Sequence, residues 1–181
     1  MISIRYEPVP KGDAYSMQEE TSDGSTDVVL LSVDAGLRCG LAGFGRDGKL
    51  LWCRSRNFGT HTRLKRRVRS LLAELPVLQF MVLEGGGATA RPWSAEGRRR
   101  GITVFEISAE KWRDALLRPR DRRTGPLAKE TATILARRVI EWSEIPKPST
   151  LIHDAAEAVL AGLWGVHAAG LISDFPNFIS G

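Results

Sequence analysis

Apolar and β-branched runs alternate with amphipathic segments along most of this chain. The run VVLLSVD at 28–34 is typical of a central strand that is buried on both faces. CGLAGF follows after a brief turn. GRDGK at 45–49, with Asp-Gly at its centre, then predicts a hairpin that returns through LLWCRSR. These three segments predict three consecutive antiparallel strands.

The rest of the chain alternates predicted strands with predicted helices. Apolar residues at helical spacing predict a helix over 62–75, whose other face carries Arg and Lys and is most simply a solvated surface. Further strands are predicted at 77–84 and 101–108, and further helices at 109–117, 127–142 and 152–172, with a basic loop at 118–126. The order β-β-β-α-β-α-β-α-α-α predicts an α/β fold with a mixed five-stranded sheet, three antiparallel strands followed by two parallel ones, and helices on both faces.

Charge divides the chain into parts. Residues 1–27 carry two basic and six acidic side chains, a net charge of −4, and show no hydrophobic period. The whole chain has a net charge of +5, so the remainder carries +9. We predict a mobile acidic N-terminal arm at 1–27, one domain at 28–175 and a C-terminal tail at 176–181.

Composition narrows the class of protein. Apolar residues make up 43% and charged residues 26%, as in ordinary soluble globular proteins. Arg accounts for 20 of the 26 basic residues, and it binds phosphate bidentately, so a basic domain indicates a polyanionic partner, most simply nucleic acid. The alternative is a basic protein with a well-solvated surface. Two cysteines make no disulfide framework and no membrane span is evident, so we expect a cytoplasmic protein without a membrane partner.

Four acidic residues form a candidate site. Asp34 ends the first predicted strand and Glu84 the fourth, and ligands bind at the carboxyl ends of adjacent central strands. Asp154 and Glu157, three residues apart, share a face of the last helix, which could pack against the same edge. Clustered carboxylates repel unless a cation neutralises them, and oxygen ligands suit Mg²⁺ or Mn²⁺. The alternatives are a turn residue for Asp34, an exposed strand end for Glu84 and acids favoured at a helix start for the pair.

Three motifs carry a resemblance to a known family. SVDAGLRCGLAGF resembles the first strand and hairpin of the ribonuclease H-like superfamily, and MVLEGG resembles its fourth strand with the glutamate. DAAEAVLAG is similar to the signature on the last helix of RuvC-type Holliday-junction resolvases. The resemblance covers roughly 28–170 and implies a ribonuclease H-like fold and a Mg²⁺-dependent endodeoxyribonuclease. It implies two ions held by Asp34, Glu84, Asp154 and Glu157, and a homodimer that cuts branched DNA.

Further candidate residues surround this site. The resemblance places Lys111 and Lys129 near the DNA backbone, with Arg113 competing for that role. His153 shares a face with Glu157 and is a candidate to assist at a metal-bound water, the alternative being a helix cap or a core hydrogen bond. Candidate nucleic-acid contacts are Arg91, Trp93, Arg98, Arg99, Arg100, Arg118, Arg120, Arg122 and Arg123. For Trp93 the alternatives are stacking on a base and covering the core edge.

The sequence departs from the family pattern at three places. It reads Asp-Ala-Gly where the family has Asp-Pro-Gly, and Glu157 replaces an aspartate, which moves a ligand by about one bond length. The family places a Phe that wedges into the junction soon after the strand-four glutamate, whereas the first aromatic residue here is Trp93. Two rival functions therefore stay open: a nuclease of the same fold for structured or precursor RNA or phage DNA, and a non-catalytic nucleic-acid-binding module.

Overall fold

Five strands form one mixed sheet in the computed structural model, which describes residues 27–148 and 151–180. The strands are β1 (Leu30–Asp34), β2 (Arg38–Phe44), β3 (Leu50–Asn57), β4 (Phe80–Glu84) and β5 (Thr103–Ile107). Their order in the sheet is β3-β2-β1-β4-β5. β1 pairs antiparallel with β2 and parallel with β4, β2 pairs antiparallel with β3, and β4 pairs parallel with β5. The predicted sheet, with three antiparallel strands followed by two parallel ones, is therefore confirmed.

Within the described residues, six helices and a 3-10 turn connect and cover the strands. The helices are α1 (His61–Ala73), α2 (Gly87–Arg99), α3 (Ala109–Leu116), α4 (Gly125–Trp142), α5 (His153–Ala168) and α6 (Asn177–Ser180), and the turn is Pro119–Arg122. α5 ends before its predicted limit because Gly170, at a φ of 71°, turns the chain back and donates its N–H to the carbonyl of His167. Within 27–148 and 151–180 no helix is long and apolar enough to cross a membrane.

The predicted domain limits meet the structure only in part. The proposed acidic arm lies outside the described residues except for Asp27. The segment 176–181, predicted as a tail, instead contains α6, and Ile179 joins the core there with only 9% of its surface exposed. Phe178 packs against the same core, so the apolar Phe-Ile pair of this short helix contacts the domain.

The sheet separates two hydrophobic cores because successive side chains of a strand point to opposite faces. Leu30, Ala42 and Val82 pack with α3, α4 and α5 on one side, which we call the α5 face. Leu31, Val33 and Met81 pack with α1 and α2 on the other side, which we call the α1 face. The prediction that helices cover both faces is confirmed.

Small residues let α5 lie unusually close to the centre of the sheet. A Cβ atom added to Gly162 would lie 2.1 Å from the ring of Phe44, and one added to Gly40 would lie 1.8 Å from the backbone oxygen of Asp154. These positions therefore require glycine for the close approach of helix and strand. The contact at Gly40 fixes where the first turn of α5 meets the sheet.

Candidate active site

The structure brings the four predicted carboxylates to one edge of the sheet. Asp34 and Glu84 are register partners at the ends of β1 and β4, so their side chains point to the same face. Asp34 also pairs with Gly40 on β2, against which the first turn of α5 packs. That turn carries Asp154, and Glu157 follows three residues later. Three elements distant in sequence thus bring acids to one place.

Asp34 has the most strongly perturbed carboxyl group of the four. Its burial, followed by the negative charges of Glu84, Glu157 and Asp154, raises its pKa to about 7, while the positive charge of Lys129 acts in the opposite direction. The three neighbours act on Asp34 because each lies within electrostatic reach of its carboxyl group. At neutral pH, Asp34 is therefore poised to gain or lose a proton, and a nearby cation would favour its ionised form.

Glu84 is almost fully buried and is held by a hydrogen bond from a tryptophan. Glu84 has 7% of its surface exposed, and the indole Nε1 of Trp112 donates a hydrogen bond to its Oε2 at 2.7 Å. Burial is the main reason why the pKa of Glu84 lies above its usual value, and Glu157 adds to the effect. The Trp112 hydrogen bond opposes the shift because it stabilises the carboxylate.

The next residue of α3 holds another of the acids. Arg113 donates from Nη2 to Oε1 of Glu157 at 2.7 Å, and its guanidinium lies 5.2 Å from the centre of the Trp112 ring. Both partners are largely shielded from solvent, with 23% of the Arg113 side chain and 12% of the Glu157 side chain exposed. α3 therefore orients two candidate ligands with two consecutive residues.

Asp154 and His153 also have partners on neighbouring elements. The hydroxyl of Ser55 on β3 lies 3.4 Å from Oδ2 of Asp154, a long hydrogen bond. Nδ1 of His153 lies 3.3 Å from Oγ1 of Thr133 on α4, so His153 contacts α4 at an exposed position. These contacts hold the first turn of α5 between β3 and α4.

The donor set fits a hard divalent cation by its chemistry. Three of the acids each use one carboxylate oxygen in a hydrogen bond: Glu84 with Trp112, Asp154 with Ser55, and Glu157 with Arg113. The other oxygen of each carboxylate is left to bind an ion. Among the described residues no three Asp, Glu, His or Cys side chains form a ready-made cage for a metal. Closing around an ion therefore requires side-chain rotation, and a bound cation would favour it by relieving the repulsion that Asp34 experiences from the other three carboxylates.

A cleft of about 790 Å³ opens between α4 and His153, the first residue of α5, and none of the four acids lines it. Lys129 and Arg137 of α4 line it together with His153 and the exposed apolar side chain of Ile134. Lys111, predicted by resemblance to stand near the DNA backbone, is exposed on α3, and its side chain has no hydrogen bond or ion pair within the described chain. Among the basic residues of α3, contact with the acids falls to Arg113.

The predicted nucleic-acid contacts differ in their exposure and in their ion pairs. Base stacking by Trp93 was wrong, because this residue has 0% of its surface exposed and belongs to the core on the α1 face. Its apolar helical position, in register with Ala90 and Gly97, places it inwards. Among these predicted contacts, the exposed arginines that make no ion pair with a described residue are Arg91, Arg118 and Arg123.

The other predicted arginines have acidic partners. Arg99 and Arg100 bind the buried carboxylate of Glu96, and Arg98 binds Glu106 at 2.8 Å. Arg122 bonds to Asp114, and Arg120 lies 3.7 Å from Asp121. The run at 98–100 is the end of α2 and its cap, not a loop, so these charges stabilise the helix end as well as facing solvent.

Two residues that orient the acids escaped the sequence analysis. Trp112 lies at an apolar position of a predicted helix, and that pattern indicates a core residue without identifying its hydrogen bond. Ser55 lies in a polar strand with no motif around it. A possible signal for Trp112 was topological, since α3 follows β5, which pairs directly with the strand that ends in Glu84.

Solved structures share this fold. No protein-family profile and no curated protein sequence matches the chain. RuvC of T. thermophilus, solved in complex with a Holliday-junction substrate, aligns with a TM-score of 0.57 at 16% identity, covering 80% of this chain and 96% of that chain. Ydc2, the yeast mitochondrial Holliday-junction resolvase, aligns with a TM-score of 0.50 at 13% identity, covering 86% of each chain. The chain therefore has the ribonuclease H-like fold of the RuvC-type resolvases.

Proposed function

We propose that this protein is a divalent-metal-dependent endonuclease that cuts branched DNA, with the Holliday junction as its substrate. The observation that carries the proposal is the meeting of Asp34, Glu84, Asp154 and Glu157 at the carboxyl edge of β1 and β4, where burial and the charges of the other three raise the pKa of Asp34. The fold shared with RuvC and Ydc2 supports the same proposal.

In this proposal, each residue of the site has a role. The four carboxylates would hold two Mg²⁺ ions, for which Mn²⁺ could substitute. When bound, such ions activate a water molecule and stabilise the leaving oxygen of a phosphodiester. Trp112, Ser55 and Arg113 orient three of the carboxylates through the bonds described above. Lys129, whose charge already lowers the pKa of Asp34, would attract the phosphate to be cut.

Basic residues beyond α3 are suited to hold the DNA backbone. Arg118 and Arg123 flank the 3-10 turn between α3 and α4, so they lie on the segments that border the site. Exposed arginines of this kind bind phosphates and position a duplex without reading its sequence. We further propose a homodimer, because a four-way junction presents two equivalent strands for cleavage; light scattering of the purified protein measures this directly.

A cleavage assay with a substrate panel tests the proposal. The protein is incubated with Mg²⁺ and a mobile four-way junction, a linear duplex of the same sequence or a structured RNA. We expect paired nicks in the junction and little cutting of the other two. Preferential cutting of RNA or of linear duplex would make the protein a nuclease of the same fold with another substrate. Binding without cleavage of any substrate would make it a non-catalytic module.

A further inference from the structure

The outward face of α1 is uniformly basic. Between His61 and Ala73 the helix contains no acidic residue, while its exposed side chains include five cations. These are Arg63, Lys65, Arg66, Arg67 and Arg69. The buried positions Leu64, Val68 and Leu71 occupy the opposite side of the helix, so the cations form a coherent surface facing solvent.

This charge pattern works against the helix that carries it. Like charges three or four residues apart, such as Arg63 with Arg66 and Arg67, repel each other on a helix surface. The first turn has no acid to complement the helix dipole, and the last turn has no base. A local arrangement that opposes stability without a compensating partner indicates a functional requirement.

The neighbouring helix shows the contrast. On α2 the arginines at 99 and 100 both bind Glu96, whose carboxyl has its pKa lowered to about 2 chiefly by the hydrogen bond from Arg99. On α1, Arg69 lies 3.9 Å from the same Glu96, but the side chains of Arg63, Arg66 and Arg67 make no ion pair with any residue in 27–148 or 151–180. The same residue type is thus neutralised on one helix and left exposed on the next.

The basic surface continues onto the edge strand. In β3, Cys53 packs on the α5 face and Ser55 bonds Asp154 there, so the alternating residues Arg54 and Arg56 point to the α1 face. These two arginines, Arg67 and Ser70 line a hollow of about 70 Å³, with Glu74 at its end. Arg54 is also stacked at 4.5 Å over the ring of Trp52, which stiffens its guanidinium.

The dimensions suit a phosphate backbone. Arg63 and Arg69 are separated by six residues, roughly 9 Å along a helix axis. Phosphates of one DNA strand recur about every 3.4 Å along the duplex axis, so this face spans two to three of them. α1 begins soon after the end of β3, at the edge of the sheet that holds the acids, and runs away from that edge on the opposite face.

We propose that the outer face of α1, together with Arg54 and Arg56 of β3, is a second nucleic-acid contact surface that binds the backbone of a duplex arm outside the active site. This inference rests on the proposed function in taking nucleic acid as the polyanion. The contact is with phosphates, so it contributes affinity and orientation but no sequence preference.

Salt dependence of binding tests the surface. The full-length triple variant R63Q/R66Q/R67Q is compared with the control triple R46Q/R138Q/K147Q, which removes three exposed cations elsewhere on the domain. Affinity for a four-way junction and for a linear duplex is measured without divalent ions between about 50 and 300 mM salt. We expect the slope of log affinity against log salt concentration to be smaller in magnitude by roughly 2–3 for the α1 variant. Its affinity should fall about 10- to 100-fold. The control should lose less than about threefold.

The outcomes separate this inference from the proposed nuclease. Equal slopes for the wild type and the α1 variant, with both folded by circular dichroism, would overturn the surface even if the wild type cuts junctions. A reduced slope in a protein that cuts nothing would keep the surface and remove the nuclease. Binding of wild type to phosphatidylglycerol vesicles, lost in the α1 variant while the nucleic-acid slope stays unchanged, would assign the face to a lipid surface instead.

Discussion

The two faces of the sheet treat charge in opposite ways. On the α5 face, Glu84 and Glu157 are largely buried, and each receives a hydrogen bond from a residue of α3. On the α1 face, arginines stand in solvent on a helix that has no acid. The buried acids of the α5 face come from several elements and are suited to hold an ion at a fixed distance. The exposed arginines of α1 lie on a single helix and are suited to a long-range, salt-sensitive contact. Under the proposed function, the α5 face would carry the chemistry and the α1 face would attract the substrate.

The largest expected effect is the loss of cleavage when one carboxylate of the α5 face is removed and the basic α1 face is left intact. Asp34→Asn keeps the shape of the side chain but removes a ligand, so we expect junction cleavage to fall by about 10³-fold or more, equivalent to about 4 kcal/mol. Binding should persist, because the basic surfaces are intact. Cleavage is measured by gel under single-turnover conditions, with Asp47→Asn in the β2–β3 turn as the control. A wild-type rate for Asp34→Asn would show that this residue holds no metal.

The next largest effect is expected from disrupting the close contact between Gly40 and the backbone of Asp154. Gly40→Ala would put a Cβ 1.8 Å from the backbone oxygen of Asp154, so α5 must shift away from the sheet. We expect a loss of about 2–3 kcal/mol in the free energy of unfolding and a severe loss of cleavage, because the acids no longer meet. Denaturant unfolding measures the first. Gly125→Ala, where nothing lies within 4 Å of the added atom, is the control and should be close to neutral. Equal stability of both variants would contradict the packing described for α5.

Paired tryptophans sharpen the comparison between the faces. Trp112→Phe removes the donor to Glu84 and retains most of the ring, so we expect Mn²⁺ affinity and cleavage to fall about tenfold or more. Trp93→Phe makes the same change in the core of the α1 face, where no carboxylate receives the indole, and should leave Mn²⁺ affinity unchanged. Titration followed by electron paramagnetic resonance gives both affinities. Equal affinities in the two variants would remove the positioning role of Trp112.

A further expected effect is a dependence of stability on pH in the absence of divalent ions. Asp34 ionises near 3.8 when unfolded but near 7 when folded, so without divalent ions the free energy of unfolding should decrease as pH rises from about 4 to about 7. Since Asp34 is partly exposed, we expect a decrease of about 2 kcal/mol, well below the full value of the shift. Thermal unfolding across this range, compared with Asp34→Asn, isolates the contribution. An identical slope in the two proteins would contradict the electrostatic account of the cluster.

The sequence predicted the elements and the acids better than their surroundings. VVLLSVD and VLQFMVLE are apolar runs that end in acids, so both strands and the edge where Asp34 and Glu84 meet follow from the pattern. The basic face of α1 is likewise readable from one helix. The hydrogen bond from Trp112 to Glu84 joins residues 28 positions apart, and its geometry depends on how α3 packs. The sequence left base stacking and a core position open for Trp93, because the exposure of an aromatic side chain depends on neighbours that local sequence does not identify.

Crystals soaked in Mn²⁺ and measured at a wavelength where manganese scatters anomalously test the central claim most directly. The account predicts two anomalous peaks bounded by carboxylate oxygens of Asp34, Glu84, Asp154 and Glu157, with no such peaks in Asp34→Asn crystals soaked in the same way. Manganese bound only elsewhere on the protein, or no peak among these four side chains at millimolar Mn²⁺, would contradict it.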